Sequence, residues 1–347
     1  MDKKMNKLLC MVVVLLSLAA CTEDTEYTAG VWYRRSDFDG VARNDAAGFT
    51  IGNKGYICGG YRGSNKDRLK DCWEYDIDND WWTQCKDMSE EAIARNAATG
   101  FAVGTKGYIA TGYDAKTSSF LKDCWQYDPA TNDWKQMADF PGGGRRYALS
   151  FGIGQYGYLG TGYDDNYQKD FYRFDPSAGD KGEWTLINGF GGQKRQGGQV
   201  FVIDDIAYIC GGENNNSDVT DFWCFDPSNA SNPWKQLRDI KDSSDDDYDD
   251  DYTSIARCYG CAFVIDGKGY LAVGQTAGGS LRTNYWIYDP STDLWEGEDL
   301  TDFEGSARAK AVCFSTGTRG FVTTGGSTSS SYYDDTWELK PYEYEEK

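Results

Sequence analysis

Six arginines each stand thirteen residues before an aromatic: Arg43/Tyr56, Arg95/Tyr108, Arg145/Tyr158, Arg195/Tyr208, Arg257/Tyr270 and Arg308/Phe321. A guanidinium is a planar fork of donors, so six gathered at one mouth of a molecule would attract carboxylates, sulfates or acidic sugars. The same residues have a structural use, because an acid recurs later in each unit as Asp71, Asp123, Asp170, Asp221 and Asp335 and can pair with the arginine of its own unit. In the fifth copy Asn284 replaces that acid, which makes Arg257 the least neutralised and the preferred ligand-facing member.

What the chain lacks narrows the remaining chemistry. None of its 347 residues is histidine, which removes Ser-His-Asp, Cys-His and imidazole acid–base arrangements. The 55 acidic residues include no pair whose spacing marks catalysis, and no cofactor is implied. Cys258 and Cys261 have a metal-like spacing, but zinc would need two further ligands and no imidazole exists to supply them. Cys58 matches Cys210 in strand position and Cys72 matches Cys124, which favours small buried hydrophobes over a disulfide framework. A net charge of −20 argues against nucleic acid and anionic membrane surfaces as partners. The densest acidic block, Asp242, Asp245, Asp246, Asp247, Asp249, Asp250 and Asp251, reads as a solvated, mobile loop over 241–254. Calcium at Asp245, Asp247 and Asp249 is the functional rival, although the glycine-turned EF-hand spacing is missing.

The elements that must position these residues follow from the repeat itself. Each aromatic opens an apolar run such as Tyr56-Ile57-Cys58-Gly59-Gly60, and Asp-x-Trp-x-Tyr-Asp follows, as at residues 71–76. The closing acids Asp76, Asp128, Asp175, Asp226 and Asp289 lie 52, 47, 51 and 63 residues apart, a period suited to propeller blades and too long for a two-helix unit. Within a repeat, four short apolar or aromatic runs are separated by Gly, Asn and Asp, which predicts four strands joined by tight turns.

The glycine doublet, the aromatic-Asp pair and a Trp six residues on (Asp76/Trp82, Asp128/Trp134, Asp289/Trp295) together resemble the kelch family over residues 31–341. Thr111, Thr161, Val273 and Thr324 depart from it by replacing the first glycine of the doublet. The resemblance implies an all-β, six-bladed propeller. The sixth repeat stops after Leu339 without its final Trp, while Trp32 precedes Arg43 by 11 residues, as Trp134 precedes Arg145. Residues 31–33 are therefore expected to complete the last blade and close the ring. Bacterial kelch propellers are often likened to galactose oxidase, whose copper site needs two histidines, so that activity is excluded here.

Residues 1–20 read as a signal peptide, with Lys3, Lys4 and Lys7 ahead of an apolar run. The segment Leu18-Ala19-Ala20-Cys21 resembles a bacterial lipobox, which implies a lipidated Cys21. The acids of the linker 21–30 resemble the tag that sends some Gram-negative lipoproteins to the cell surface. The expected product is a monomer on the outer membrane, touching membrane only through its lipid, with a short tail at 342–347.

Specificity is expected where the repeat breaks, in loops 61–70, 113–122, 163–169, 213–220, 275–283 and 327–334. Tyr61, Tyr113 and Tyr163 lead three of them and offer flat faces with hydroxyl handles, while Glu213 is the one loop-leading acid. The expected function is non-catalytic binding of a glycan or of a surface or periplasmic protein. The alternative rests on a resemblance to kelch-type sialic acid mutarotases, which implies an arginine for a sugar carboxylate and an unpaired Glu or Asp beside it to carry a proton.

Overall fold

The computed structural model describes residues 27–63, 67–327 and 331–346, so Cys10, Cys21 and the leader lie outside it. Six four-stranded antiparallel sheets are arranged around a central channel. Blade 1 runs from the inner strand Ala47–Ile51 through Lys54–Tyr61 and Arg68–Asp76 to the outer strand Trp81–Gln84. Blades 2 to 5 repeat this order, with inner strands Thr99–Val103, Leu149–Ile153, Gln199–Ile203 and Cys261–Ile265. The one helical segment among the described residues is a single 3-10 turn, Asp247–Asp249.

Repeated packing explains the repeated letters. An inner-strand Phe stacks on the ruler aromatic of its own blade, with ring centroids 4.9 Å apart for Phe49/Tyr56 and 5.0 Å for both Phe101/Tyr108 and Phe151/Tyr158. That Phe also lies on the glycine preceding the ruler aromatic of the next blade. A Cβ built on Gly107 would meet the Phe49 ring at 2.0 Å, and one on Gly157 the Phe101 ring at 2.1 Å. Glycine is used there because the neighbouring blade already fills the volume of a side chain. In blades 1 to 3 the outer Trp ties the blade to its predecessor: the indole N–H groups of Trp82, Trp134 and Trp184 donate to the Ser36, Lys86 and Ala138 carbonyls at 3.3, 2.9 and 3.0 Å.

Blade 6 contains both ends of the described chain. Its strands are Val312–Ser315, Gly320–Thr323, Thr336–Glu346 and, outermost, Tyr27–Arg35. Trp32 pairs with Leu339 and Tyr33 with Glu338, so the ring closes with the expected register. Both closing strands are longer than expected. Residues 27–30 of the expected linker and 342–346 of the expected tail form a ribbon in which Tyr27 pairs with Glu346, because each supplies the other's backbone hydrogen bonds. A buried carboxylate clasps the closure. Glu338 accepts from Arg35 Nε at 2.8 Å, Arg319 Nε at 2.6 Å and Lys340 Nζ at 2.5 Å. Burial alone would raise its pKa, but these three cations prevail and hold it at about 2.

Two expectations are corrected. The acidic insertion is solvated as expected, with six of its seven acids exposed, but it is anchored: Tyr252, and Ile255 just beyond it, join the core between blades 4 and 5, and the Trp295 backbone N–H donates to the Tyr252 hydroxyl at 2.7 Å. Apolar residues interleaved with the acids supply the buried area that a mobile loop would lack. Cys58 and Cys72 face each other across neighbouring strands, Cα atoms 4.3 Å apart, and form a disulfide. Blades 2 and 4 lack this bridge because Cys124 faces Ala110, and in blade 4 Phe222 stands before Trp223 where blade 1 has Cys72 before Trp73.

Candidate functional site

All six ruler arginines are at most 1% exposed. Five pair with the recurring acid and four take it in a two-pronged grip, for example Arg43 on Asp71 at 2.6 and 2.7 Å, Arg95 on Asp123 at 2.6 and 2.6 Å, and Arg308 on Asp335 at 2.5 and 2.8 Å. Arg145 grips Asp170 likewise, whereas Arg195 holds Asp221 through Nη2 alone and the other Asp221 oxygen accepts from the Gln193 N–H. Burial raises the Asp123 carboxyl, but the Arg95 guanidinium outweighs it and holds the group below its ordinary value. The Asp-x-Trp spacing serves the same cluster, since Trp73, Trp125 and Trp337 donate their indole N–H groups to Asp71, Asp123 and Asp335.

The thirteen-residue interval has a mechanical origin. Each arginine Nη1 donates to the carbonyl of the first doublet residue sixteen positions on: Arg43 to Gly59 at 2.9 Å, Arg95 to Thr111 at 3.1 Å, and Arg257 to Val273 at 3.0 Å. The second doublet glycine then donates its N–H to the carbonyl of the next blade's arginine, from Gly60/Arg95 round to Gly325/Arg43, all at 2.8 Å. The arginines therefore stitch blades together. A ring of ligand-facing guanidinium groups is not what these positions form. Arg257 is no exception: it keeps the Ile255 and Val273 carbonyls, whose equivalents its counterparts also bond, and in place of the acid it donates to the Ser254 and Asn284 carbonyls and to Asn284 Oδ1, all at 2.9 to 3.1 Å. Burial without a carboxylate lowers its pKa to about 9.

The channel mouth is lined by residues two positions beyond each arginine: Asp45, Ala97, Tyr147, Gly197, Tyr259 and Lys310. Their peptides form a closed hydrogen-bonded circle, each N–H donating to the carbonyl of the equivalent residue in the preceding blade, at 2.7 to 3.1 Å. All six have positive φ between 50° and 61°, although only one is glycine. The circle requires that left-handed backbone, and the other five side chains are carried at a cost in strain. They enclose a cavity of about 160 Å³. The Tyr147 and Tyr259 rings meet edge-on at 4.7 Å, with Lys310 Nζ 5.5 and 5.3 Å from their centroids and 3.8 Å from Asp45. The Asp45 charge raises the Lys310 ammonium pKa, and burial, with Tyr147 and Glu213, raises that of the Tyr259 phenol. Both groups stay protonated near neutrality, so they suit hydrogen bonding and stacking better than proton transfer.

A second circle surrounds the mouth, where the residue after each arginine pairs with the leader of a variable loop: Asn44 with Tyr61, Asn96 with Tyr113, Arg146 with Tyr163, and Gln196 with Glu213. The expected loop leaders are thus on this face. Tyr61 meets Tyr332 at 5.6 Å and carries the Arg68 guanidinium at 4.2 Å. Beside them a cavity of about 380 Å³ is lined by Asn44, Asp45, Tyr61, Gln275, Lys310 and Tyr332. Glu213 accepts from Gln196 Nε2 at 2.6 Å and from the Tyr259 hydroxyl at 2.8 Å, so it is not the unpaired acid that proton transfer would want. Arg146 is the residue that sequence reasoning missed. Its guanidinium lies 5.1 to 5.9 Å from the rings of Tyr113, Phe120, Tyr147 and Tyr163, and no described carboxylate pairs with it. Reading off the two residues after each ruler arginine would have found both circles.

The metal candidates come apart. Asp245 and Asp247 are exposed, and Asp249 is buried, accepting from the Ser243 and Ser244 N–H groups at 3.0 and 2.9 Å. Among the described residues the one group of potential ligands within 4.8 Å is Asp242, Asp249 and Asp250. It includes neither Cys258 nor Cys261.

Two family models match the sequence: the KLHDC2/KLHL20/DRC7 Kelch-repeats domain over residues 36–194 and the Kelch motif over 194–239. The chain is a kelch-repeat propeller. Among curated proteins, this kelch chain is similar to Kelch-like protein 25 of Xenopus tropicalis, 25% identical over 73% of the chain and 40% of that protein. Kelch-like protein 23 of Mus musculus is 24% identical over 77% and 43%, and F-box/kelch-repeat protein SKIP20 of Arabidopsis thaliana 32% identical over 31% and 26%. The match therefore spans less than half the length of these relatives. The solved structure of YjhT has a TM-score of 0.70 and 15% identity, covering 87% of this chain and 95% of that one, a likeness of fold.

Proposed function

We propose that this kelch propeller is a non-catalytic binding module that holds a protein partner on its arginine-side face, with a glycan as the rival ligand. The observation that carries the reading is the inner circle at the mouth. In a fold whose other positions repeat, these six have no shared type, yet all are held by one rigid backbone ring. A site built this way can vary its chemistry without disturbing the blades. Arg146 supplies a cation without a carboxylate partner and is placed to receive an acidic side chain, while Tyr147 and Tyr259 supply aromatic surface.

The chain's course supports display away from a membrane. Tyr27 begins the outer strand of blade 6 at the end opposite the arginine face, and Cys21 lies six residues upstream of it. A lipid on Cys21 would therefore tether the turn side and leave the mouth outward, on an outer-membrane surface. The test presents residues 22–347 to arrays of acidic and neutral peptides and of glycans, with Arg146→Ala and the double variant Tyr147→Ala/Tyr259→Ala alongside. Capture of acidic peptides that both variants lose is the expected result. Capture of glycans alone would transfer the site to the rival, and binding indifferent to both variants would sink this use of the face.

A further inference from the structure

The channel wall holds a pair of thiols that neither the binding reading nor the repeat requires. Cys261 opens the inner strand of blade 5, and Cys313 is the second residue of the inner strand of blade 6. The corresponding pair half-way round the ring is Thr99 of blade 2 and Ser150 of blade 3. Thr99 Oγ1 and Ser150 Oγ are 2.5 Å apart, and Ser150 Oγ donates to the Gly100 carbonyl at 3.0 Å. Cys313 Sγ repeats the second contact, donating to the Ala262 carbonyl at 3.2 Å. The repeat therefore brings the two side chains together, and both belong to the cluster that packs blade 5 against blade 6. Cys313 also lines the central cavity, about 390 Å³ in volume, while Cys261 is buried behind it.

We infer that Cys261 and Cys313 form an oxidisable dithiol, in which a small peroxide entering the channel converts the pair to a disulfide joining blades 5 and 6. Attack of the Cys313 thiolate on hydrogen peroxide breaks the O–O bond, gives a sulfenic acid and releases hydroxide. The Cys261 thiol then attacks that sulfur, forming the S–S bond and expelling water. One peroxide is reduced to two waters as two thiols lose two electrons and two protons. The assignment of roles has electrostatic support. Hydrogen bonding from Cys261 lowers the Cys313 thiol, and the same contact, with burial, raises Cys261, so the channel-facing sulfur is the better nucleophile.

The test treats the folded full chain with equimolar hydrogen peroxide, blocks residual thiols with N-ethylmaleimide after unfolding, and maps peptides by mass spectrometry. The expected product is a 261–313 linked peptide, two hydrogens lighter and cleaved by dithiothreitol, with both cysteines lost to alkylation. Cys261→Ser should stop at a Cys313 sulfenic acid that dimedone traps, and Cys313→Ser should leave Cys261 unreacted. Full alkylation of both cysteines in the oxidised wild type, or Cys313 carried on to sulfinic acid beside a free Cys261, would overturn the inference. The mapping on wild type decides even where a variant fails to fold.

Discussion

Replacing Glu338 by glutamine tests whether the ring is locked electrostatically at its seam. The side chain is fully buried and gathers Arg35 from the outer strand, Arg319 from the turn just before the second strand and Lys340 from its own. Its carboxyl falls from an ordinary 4.5 to about 2, which corresponds to about 3 kcal/mol of stability at neutral pH. Because the folded value is depressed, that contribution is fully present above about pH 5 and lost as pH falls toward 2. Glu338→Gln should therefore cost about 3 kcal/mol at pH 7, lowering Tm by roughly 6 °C in a domain of this size, and about 2 kcal/mol at pH 3.5. Urea unfolding of wild type and variant at both pH values, with calorimetry at pH 7, measures the difference. A loss below about 1 kcal/mol at pH 7, or one that grows as the solution is acidified, would refute a seam held by this carboxylate.

Asp123→Asn should cost about 3 kcal/mol or more by stranding the buried Arg95. Arg257→Ala should cost a comparable amount in the same urea titration despite lacking a carboxylate partner, since it leaves several buried carbonyls without a donor. Asn284→Asp should do the opposite and raise the unfolding free energy by about 1 kcal/mol, because it gives Arg257 the counter-charge its five counterparts have; a destabilised variant would show that the carbonyl cage has taken over. Gly107→Ala should lose about 1–3 kcal/mol by driving a methyl group into Phe49. Gly104→Ala has open space around its Cβ and should lose less, about 1 kcal/mol for its positive φ.

Blade number, closure and the Arg–Asp pairs were legible in the sequence because each is written six times, or five, at a fixed interval. Trp32 could be matched to Trp134 for the same reason, although 271 residues separate the two ends of the Thr301/Gly30 contact beside it. The extra pairing of Tyr27 with Glu346 has no counterpart in any other blade, so no interval announced it. The Cys58–Cys72 bridge was hidden because matching strand positions were compared between blades, whereas a bridge depends on which residues face each other within one. The mouth residues were hidden for a deeper reason. A repeat is found by shared residue types, and the positions two beyond the arginines share only a backbone conformation, which Asp45, Ala97, Tyr147, Tyr259 and Lys310 adopt without betraying it in their letters.

Blade 5 shows how the repeat can be broken without breaking the fold. It is the blade that lacks the recurring acid and the one preceded by the acidic insertion, and the two departures meet at Ser254. The Ser254 carbonyl accepts from Arg257 Nη2 at 2.9 Å, and its hydroxyl accepts from Asn284 Nδ2 at 2.7 Å and from Trp286 Nε1 at 3.3 Å, where an aspartate oxygen accepts the indole in other blades. Trp286 is the tryptophan that would otherwise donate to the missing aspartate. The end of the insertion thus stands in for the lost side chain, and Tyr252 and Ile255 pin it to the core so that it stays in place. A carboxylate was exchanged for an ordered stretch of backbone, which leaves Arg257 structural and leaves the variable face to Arg146 and the mouth circle. The asparagine that seemed in the sequence to free an arginine for a ligand marks the place where a loop holds that arginine instead.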